Sequence, residues 1–310
     1  MTPTVKVTTF GSFMMDLVAY TDRRPGTGET LKGNSFQMAL GGKGFNQAIA
    51  VSRAGASSAM LGSLGSDAFG DDFLKALREE GVDSTDVEQD EELGTGVGLP
   101  VVTADGDNSI IIMLRSNDLA DDSYINRHKD RIVNSDVLLL QLELPVSGNL
   151  AAAKFARDNG IAVVLTPAPV SDIAAFKDLV DVLVPNESEA AELTGIETDL
   201  ELQAQELHRE LGCKNVVITL GPRGAFVSDG QSAMLISAPE VIAVDTIGAG
   251  DTLCANLCVR LASGDDLFTA ARFGIYAASL KVTRKGSAMA APTEQEVRNF
   301  MNSEEIKEIA

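Results

Sequence analysis

A glycine-rich stretch at residues 244–252, VDTIGAGDT, holds the residues best suited to chemistry. Gly248 and Gly250 allow backbone conformations that other residues avoid, and they let a ligand approach the chain closely. An apolar segment with helical character follows, from Thr252 to Leu261. The first amides of a helix have no partners within it, and with the helix dipole they attract phosphate. Asp251 stands at this point, where its carboxylate could act as a general base facing a phosphoryl group.

The same stretch also has a purely structural interpretation. A short β-type run from Val241 to Val244 precedes the glycines, and glycine turns are common between a strand and a helix. Asp251 would then be only an acidic cap of that helix. The choice between the two interpretations depends on the other residues that could join Asp251.

A second glycine turn, Gly41-Gly42-Lys43-Gly44, leads into a predicted helix that extends through Ala54. It places Lys43 and Asn46 at the start of that helix. The turn is not a P-loop, because the spacing G-x-x-x-x-G-K-[ST] is absent. Taken alone, it indicates only a helix start that could contact a ligand.

One acid, Asp16, lies within the apolar, strand-like run from Phe13 to Tyr20. A carboxylate in such a position costs free energy unless it is paired or binds a ligand. The alternative is that Asp16 occupies a strand position that faces outward. It is therefore a candidate binding residue.

Composition excludes several classes of function. The chain has 310 residues, 45% of them hydrophobic, and a formal net charge of −20, which argues against binding to nucleic acid or to an acidic membrane surface. No apolar run approaches the roughly 18 residues that span a bilayer, and residues 1–10 lack a signal-peptide pattern. The three cysteines, Cys213, Cys254 and Cys258, have no metal-binding spacing and are typical of a reducing compartment. We therefore expect a cytoplasmic protein without membrane or nucleic-acid partners.

Short apolar strands alternate with helix-length segments from residue 121 onward, which predicts βαβ units and a parallel sheet. These strands are Val137–Leu140, Ala162–Leu165, Val182–Val184 and Val216–Leu220. Ligands of such sheets bind outside the carboxyl ends of the strands. Polar or glycine residues stand at those ends: Glu143, Thr166, Asn186, Glu189, Gly221 and Gly224.

Four further runs predict a small separate sheet: residues 13–20, 36–40, 97–103 and 109–114. The last two are joined by ADGDN, which is typical of a hairpin. We find no linker or internal repeat, so we expect residues 1–310 to form one domain that carries this small sheet.

Eight short motifs occur along the chain in a characteristic order, the first at residue 11 and the last ending at residue 286. They are GS…D at 11–16, GGKG…NQA at 41–48, QLE at 141–143, PAP at 167–169, PNESE at 185–189, TLG…G at 219–224, DTIGAGDT at 245–252 and VTRKG at 282–286. In this order they resemble the ribokinase-like (PfkB) family of carbohydrate kinases, and most closely its ribose-phosphorylating branch.

The resemblance implies a three-layer α/β fold, in which a central, mostly parallel sheet lies between helices. The small β-sheet would be a lid that covers the sugar and often pairs two subunits as a homodimer. The implied reaction is transfer of the γ-phosphate of ATP to the primary hydroxyl of a pentose, D-ribose giving D-ribose 5-phosphate. The alternatives are a 2-deoxyribose, ketohexose or nucleoside kinase of the same family, and a non-catalytic sugar sensor. A sensor would not need a base such as Asp251.

The resemblance also assigns roles to residues of this chain. Asp251 would be the base, and Gly248, Ala249 and Gly250 the anion hole. The sugar contacts would be Met14, Asp16, Gly42, Lys43, Asn46, Glu143 and Asp251. The nucleotide contacts would be Asn186, Thr219, Leu220, Gly221, Gly224 and Gly250. Mg²⁺ would be ordered by Asn186 and Glu189, largely through water, and K⁺ by Asp245, Ile247, Lys281, Arg284 and Gly286.

Five departures from the family pattern accompany the match. Met14 and Thr166 stand where asparagine is usual, Phe45 replaces a small residue, and residues 114–117 (LRSN) replace a small, glycine-containing stretch. These four concern the choice of sugar. Ala290 stands where a hydroxyl side chain often completes the cation site.

Overall fold

The computed structural model describes residues 4–105 and 107–309, with strands and helices in an alternating order. The strands are β1 Lys6–Phe10, β2 Met14–Thr21, β3 Ser35–Gly41, β4 Ser57–Gly65, β5 Val87–Asp90, β6 Val97–Thr103, β7 Asn108–Met113, β8 Val137–Gln141, β9 Ala162–Thr166, β10 Val182–Leu183, β11 Asn215–Thr219, β12 Ala225–Ser228 and β13 Ala233–Ile236. The α-helices are α1 Lys43–Arg53, α2 Ala68–Glu79, α3 Asp122–Val133, α4 Val146–Asp158, α5 Glu187–Thr194, α6 Leu200–Leu211, α7 Ala249–Ala262, α8 Leu267–Lys281 and α9 Glu294–Ile309.

Nine strands form the main sheet, in the order β13-β12-β11-β10-β9-β8-β1-β4-β5. Following this order, all neighbouring strands from β11 through β8 and β1 to β5 pair in parallel. Strands β12 and β13 add an antiparallel edge next to β11. The central strand β8 is buried along its whole length, as expected for a parallel strand covered on both faces. Leu138 and Leu140 pack on one face with Ala152, while Val137 and Leu139 pack on the other with Leu257. The predicted three-layer fold is confirmed.

The predicted small sheet is also confirmed, with the strand order β3-β2-β6-β7. We call it the lid sheet. Its strand β2 pairs antiparallel with β3 and parallel with β6, so that Asp16 lies opposite Ala39 on one side and Gly98 on the other. β3 ends at Gly41, and α1 begins two residues later at Lys43. The lid sheet therefore leads directly into the helix that carries Asn46.

The predicted β-type run from Val241 to Val244 is wrong. This segment has no strand partner, and the amides of both Val244 and Asp245 donate to the carbonyl of Val282. The side chain of Ile242 is 87% exposed, so the apolar run does not enter the core. Strands β5, β12 and β13 form where the sequence was not interpreted as strand.

None of the helices in the described part of the chain has both the length and the apolar character needed to cross a membrane.

Candidate active site

Asp251 lies in the first turn of α7, at the carboxyl edge of the main sheet. Gly248 precedes the helix with φ of 77°, a left-handed conformation that favours glycine. A Cβ added at Gly250 would meet no protein atom within 4 Å, so the protein itself does not require glycine there. Open space beside a helix start suits a phosphoryl group. The amide of Ala249, which was predicted as part of the anion hole, donates instead to the Thr246 carbonyl at 3.2 Å. Asp251 is only 8% exposed at the edge of this space.

Two amide side chains from α1 hold the Asp251 carboxylate. Asn46 Nδ2 donates to Oδ2 at 2.9 Å, and Gln47 Nε2 donates to Oδ1 at 3.1 Å. Gln47 Oε1 accepts in turn from Gln141 Nε2 at 2.5 Å. Both direct donors are neutral, so they orient the carboxylate and leave it lone pairs for a substrate proton. Asn46 Oδ1 is buried and has no partner among the described residues, which suits a sugar hydroxyl as its donor.

Gln47 is a site residue that the sequence analysis missed, because it appeared there only as a letter of the motif NQA. The signal that could have identified it is its neighbour. Two consecutive amide residues occupy buried positions of an otherwise apolar helix, and buried polar side chains need partners. Asn46 had already been predicted to face a ligand, and Gln47 shares its carboxylate.

The glycine turn before α1 packs tightly against the end of β1. Gly42 has φ of 93°, and a Cβ at Gly44 would lie 2.5 Å from Cα of Gly11. Both positions therefore exclude a side chain. The Glu143 carboxylate accepts hydrogen bonds from the Lys43 amide, at 2.8 Å, and from the Ser12 hydroxyl. Glu143, which was predicted to contact the sugar, thus also fastens the turn that bears Lys43.

The ammonium group of Lys43 interacts electrostatically with several acidic side chains of the site. Burial acts to lower its pKa, but the charges of Asp251, Glu143 and Glu189 act in the opposite direction, and the net effect raises the pKa. Lys43 therefore stays protonated at neutral pH. A positive charge beside the base can also stabilise an anionic phosphoryl group in transit.

Asp16 points into the site from strand β2 of the lid sheet. Its carboxylate lies over two glycines: a Cβ at Gly41 would come within 2.5 Å of Oδ2, and a Cβ at Gly98 would collide with Oδ1. No described residue donates a hydrogen bond to this carboxylate. Burial, and secondly the charge of Glu143, raise its pKa to about 6. A partly buried carboxylate without a donor is suited to accept hydrogen bonds from sugar hydroxyls.

The residues that depart from the family pattern have structural partners of their own. Phe45 is wholly buried between Phe13 and Phe73, with ring centroids 6.3 and 4.9 Å away, so it does not face the sugar site. Asn117 bonds to both the amide and the carbonyl of Phe13, and its Nδ2 lies 3.5 Å from the Met14 sulfur. The hydroxyl of Thr166 accepts at 3.4 Å from Nε2 of Gln47, the residue that also bonds to Asp251.

A cavity of about 740 Å³ lies on the other side of the α7 start. Its lining includes the predicted residues Thr219, Gly221, Gly224, Ala249 and Gly250. An adjoining cavity shares Thr219 and Gly221 and adds Asn186 and Leu220. The walls that the sequence analysis missed come from α8 and from residues 238–246, which include the run wrongly predicted as a strand. A volume of this size and its apolar walls suit a nucleotide base.

Asn186 and Glu189 form a reciprocal capping box at the start of α5. Asn186 Oδ1 accepts from the Glu189 amide, and Glu189 Oε2 accepts from the Asn186 amide, both at 2.8 Å. This structural role of an N-x-x-E sequence was not foreseen. Burial, followed by the charges of Asp251 and Glu192, raises the pKa of Glu189 despite opposing contributions from the Asn186 amide and from Lys43. A carboxylate so short of positive charge fits a nearby cation, although the described residues contain no cluster of three ligands that could hold a metal alone.

The five residues predicted to bind K⁺ meet around the turn before α7. The carboxylate of Asp245 accepts from the amides of Ile247 and Gly286, each at 3.0 Å. The side chain of Arg284 instead bonds to Glu296. Lys281 contributes more than its carbonyl, because its ammonium donates to the Asp245 carbonyl at 2.9 Å.

Comparison with known proteins agrees with this geometry. The profile of the pfkB family carbohydrate kinases matches residues 5–294. A ribokinase of Haemophilus influenzae is 37% identical over 95% of this chain and 98% of its own length, and a deoxyribokinase of Salmonella typhimurium is 31% identical over 96% and 99%. The structure of Arabidopsis thaliana ribokinase complexed with ribose and ATP has a TM-score of 0.89 and 31% identity, covering 96% of this chain and 99% of that one. This chain belongs to the pfkB family of carbohydrate kinases.

Proposed function

We propose that this kinase transfers the γ-phosphate of ATP to the primary hydroxyl of D-ribose and produces D-ribose 5-phosphate. The observation that carries the proposal is the place of Asp251. Its carboxylate is fixed by Asn46 and Gln47, and the preceding residue, Gly250, lines the cavity of about 740 Å³. The ribokinase relatives named above support ribose as the sugar.

The proposed roles follow from chemistry at each position. Asp251 accepts the proton of the attacking hydroxyl, while the helix start at residues 248–250, with the amides of Gly248 and Gly250, stabilises charge on the moving phosphoryl group. Asp16, Asn46 and Lys43 bind the sugar hydroxyls. Gly42, Glu143 and Met14 complete the sugar site, and Thr219, Leu220, Gly221 and Gly224 the nucleotide site. A sugar hydroxyl held against Asp251 is already positioned beside ATP in the same complex. The reaction therefore avoids much of the entropic cost of bringing the two reactants together.

ATP would bring Mg²⁺ with it. Asn186 and Glu189 would hold the ion, and a cation there would offset the burial and the neighbouring acidic charges that raise the pKa of Glu189. The side chains of Asn186 and Glu189 already bond to each other's amides in the capping box. Because Mg²⁺ gives up water reluctantly, we expect these residues to contact the ion through water and phosphate oxygens. When bound, the ion neutralises charge on the phosphates.

The decisive experiment measures ADP release by the purified protein over a panel of sugars and nucleosides. We expect the highest kcat/KM for D-ribose, with phosphate on the primary hydroxyl. Preference for a nucleoside or a ketohexose would replace the proposed substrate, and binding of a sugar without ADP release would identify the protein as a sensor.

The most specific alternative is 2-deoxyribose, which the similarity to a deoxyribokinase favours. Met14 offers no hydrogen-bond donor and only a weak acceptor where asparagine is usual. A site without a dedicated partner for the 2-hydroxyl loses little when that group is missing. We therefore expect kcat/KM for 2-deoxy-D-ribose to lie within about 100-fold of the value for D-ribose, and Met14→Asn to widen the gap in favour of ribose.

Measuring kcat/KM for both sugars on both proteins tests this prediction. Met14 is buried and its sulfur lies near Asn117, so the opposing view is that it only packs beneath the lid sheet. An unchanged ratio of the two sugars in Met14→Asn would support that view. Leu17→Gln, on the same lid strand, serves as a control for a general disturbance of the sheet.

The lid sheet also carries the proposed dimer. Its outer strands expose apolar side chains, with Phe36 63% and Ile111 65% exposed, and edges of this kind are a liability in solution. We propose a homodimer that covers them, with Phe36, Met38 and Val18 at or near the contact. Light scattering of the wild type at micromolar concentration should give a dimer, and Ile111→Glu a monomer. Met234→Glu, on the exposed strand β13, is the control, and a monomeric wild type would contradict the proposal.

We further propose that residues 1–310 act as one kinase domain with the lid sheet as its appendage. The buried free thiols of Cys213, Cys254 and Cys258 suit the reducing cytoplasm, where ATP is available. The K⁺ site implied by the family resemblance stays a prediction, and a buried lysine within it leads to a different expectation.

A further inference from the structure

Lys281, the last residue of α8, is among the largest side chains that are wholly buried, with 0% exposure. Its Nζ atom donates to the main-chain carbonyl of Asp245 at 2.9 Å. Burying an ammonium group costs free energy unless opposite charges and hydrogen bonds offset the loss of water. Burial lowers the pKa of Lys281, and the charges of the Asp245 and Asp251 carboxylates oppose that effect. Simple packing would need only an apolar side chain of the same length.

The hydrogen bond from Lys281 to Asp245 lies at the start of the turn that leads to residues 248–250. Asp245 joins two segments, because its carboxylate accepts from the amide of Ile247 in the turn and from that of Gly286 in the loop after α8. The carbonyl of Asp245 is held by the Lys281 ammonium. All polar groups of Asp245 are thereby fixed, and the turn that follows sets the direction of the amides at residues 248–250.

The same residues fit an additional monovalent cation poorly. The carbonyl of Lys281, an expected ligand, already accepts from the Arg284 amide at 3.0 Å, and Ala290 offers no hydroxyl oxygen. The Lys281 ammonium already lies at the main-chain carbonyl of Asp245, and it interacts electrostatically with the Asp245 carboxylate. A second positive charge at this place would be repelled by the first in surroundings that screen charge weakly.

We propose that the Lys281 ammonium is a built-in monovalent cation, which holds the Asp245 turn in its active geometry and makes phosphoryl transfer independent of added K⁺. Ammonium and K⁺ are similar in size and charge, and both bind carbonyl and carboxylate oxygens. Lys281 is thus a positioning residue, since it acts on the phosphoryl group through the turn. The inference rests on the proposed kinase activity.

The test compares the wild type, Lys281→Met and Lys285→Met in KCl and in tetramethylammonium chloride at equal ionic strength. Lys285 is exposed in the same loop, so its variant controls for the loss of a charge. We expect the wild type and Lys285→Met to change kcat by less than about twofold between the salts. In the bulky cation, Lys281→Met should lose kcat by about tenfold or more with little change in sugar KM, and K⁺ or NH₄⁺ should restore much of the loss.

Thermal melting supplies a second readout that does not need turnover. K⁺ should raise the melting temperature of Lys281→Met relative to tetramethylammonium and leave that of the wild type unchanged, because a cation stabilises only a protein that binds it. Wild-type turnover, measured in each salt, separates the two proposals. If there is no turnover in either salt, the proposed function fails. If there is turnover only in K⁺, the proposal of a built-in cation fails.

Three results would overturn the inference. The first is activation of the wild type by K⁺ of more than about threefold, which is decisive even if Lys281→Met does not fold. The second is full activity of Lys281→Met in the bulky cation. The third is a loss of activity in Lys281→Met that no small cation restores, which would reduce Lys281 to a packing role.

Discussion

Replacing Asp251 by asparagine should lower kcat by about 10²–10⁴. Asparagine keeps the size and polarity of the side chain but cannot take the proton of the attacking hydroxyl. Asn46 and Gln47 would still hold the residue in position, although one of their amide donors would then face another amide. Sugar affinity should change little, because recognition depends mainly on Asp16 and Asn46.

The measurement is a full kinetic analysis of Asp251→Asn together with sugar binding by calorimetry. Asp71→Asn is a matched control, since Asp71 is another first-turn helix acid but lies exposed at the start of α2. Its kcat should equal that of the wild type. If Asp251→Asn retained more than about a tenth of wild-type kcat, Asp251 would not be the base.

Replacing Asp16 by asparagine should lower kcat/KM for the sugar by about 10²-fold, since each hydrogen bond to a charged group contributes about 1.5–3 kcal/mol. Sugar binding by the wild type should depend on pH. Burial and the charge of Glu143 raise the pKa of Asp16 to about 6 in the free protein, and sugar hydroxyls donate to the ionised form. Sugar binding therefore lowers this pKa, and KM should rise as pH falls through about 6.

The sign of the stability effect is the opposite. The pKa of Asp16 in the folded protein lies above the unfolded value, so its contribution to stability is fully present at low pH and is lost as pH rises through about 6. Bound sugar should offset that loss. Kinetics and melting of the wild type and Asp16→Asn across this range test both effects, with Asp22→Asn, an exposed acid at the end of the same lid strand, as the control. A KM for the sugar that does not change below pH 6, or equal KM values in Asp16→Asn and the wild type, would contradict the assignment.

Local patterns were enough to predict the layers of the fold. Runs such as VLLLQ in β8 have no polar alternation, so they indicate strands covered on both faces. The four runs at residues 13–114, two of them joined by the hairpin signal ADGDN, indicated a separate sheet. The apolar run at residues 241–244 was misleading, because local hydrophobicity cannot show that the carbonyl of Val282, just after α8, will accept from the amides of Val244 and Asp245. The run became a wall of the nucleotide cavity instead.

The candidate site divides in a similar way. Glycine turns pointed to Asp251 and Lys43 as candidates, and the cost of a carboxylate within an apolar run pointed to Asp16. The roles of these residues stay predictions. The orientation of Asp251 by Gln47 depends on a contact between residues 204 positions apart, which no local pattern records. Lys281 was predicted only through its carbonyl, since the direction of a long side chain follows from packing.

The two glycines beneath the Asp16 carboxylate constrain how this enzyme can evolve. While Asp16 is present, a methyl group at either Gly41 or Gly98 would strike one of its oxygens, so neither position can vary first. Once Asp16 is lost, Gly98 has no close contact left, while Gly41 keeps one at 3.2 Å to the Met14 carbonyl. A side chain gained at either position would block the return of the carboxylate. The order of substitutions therefore matters: a lineage that abandons this mode of sugar recognition gains new variants of the lid sheet and closes the path back.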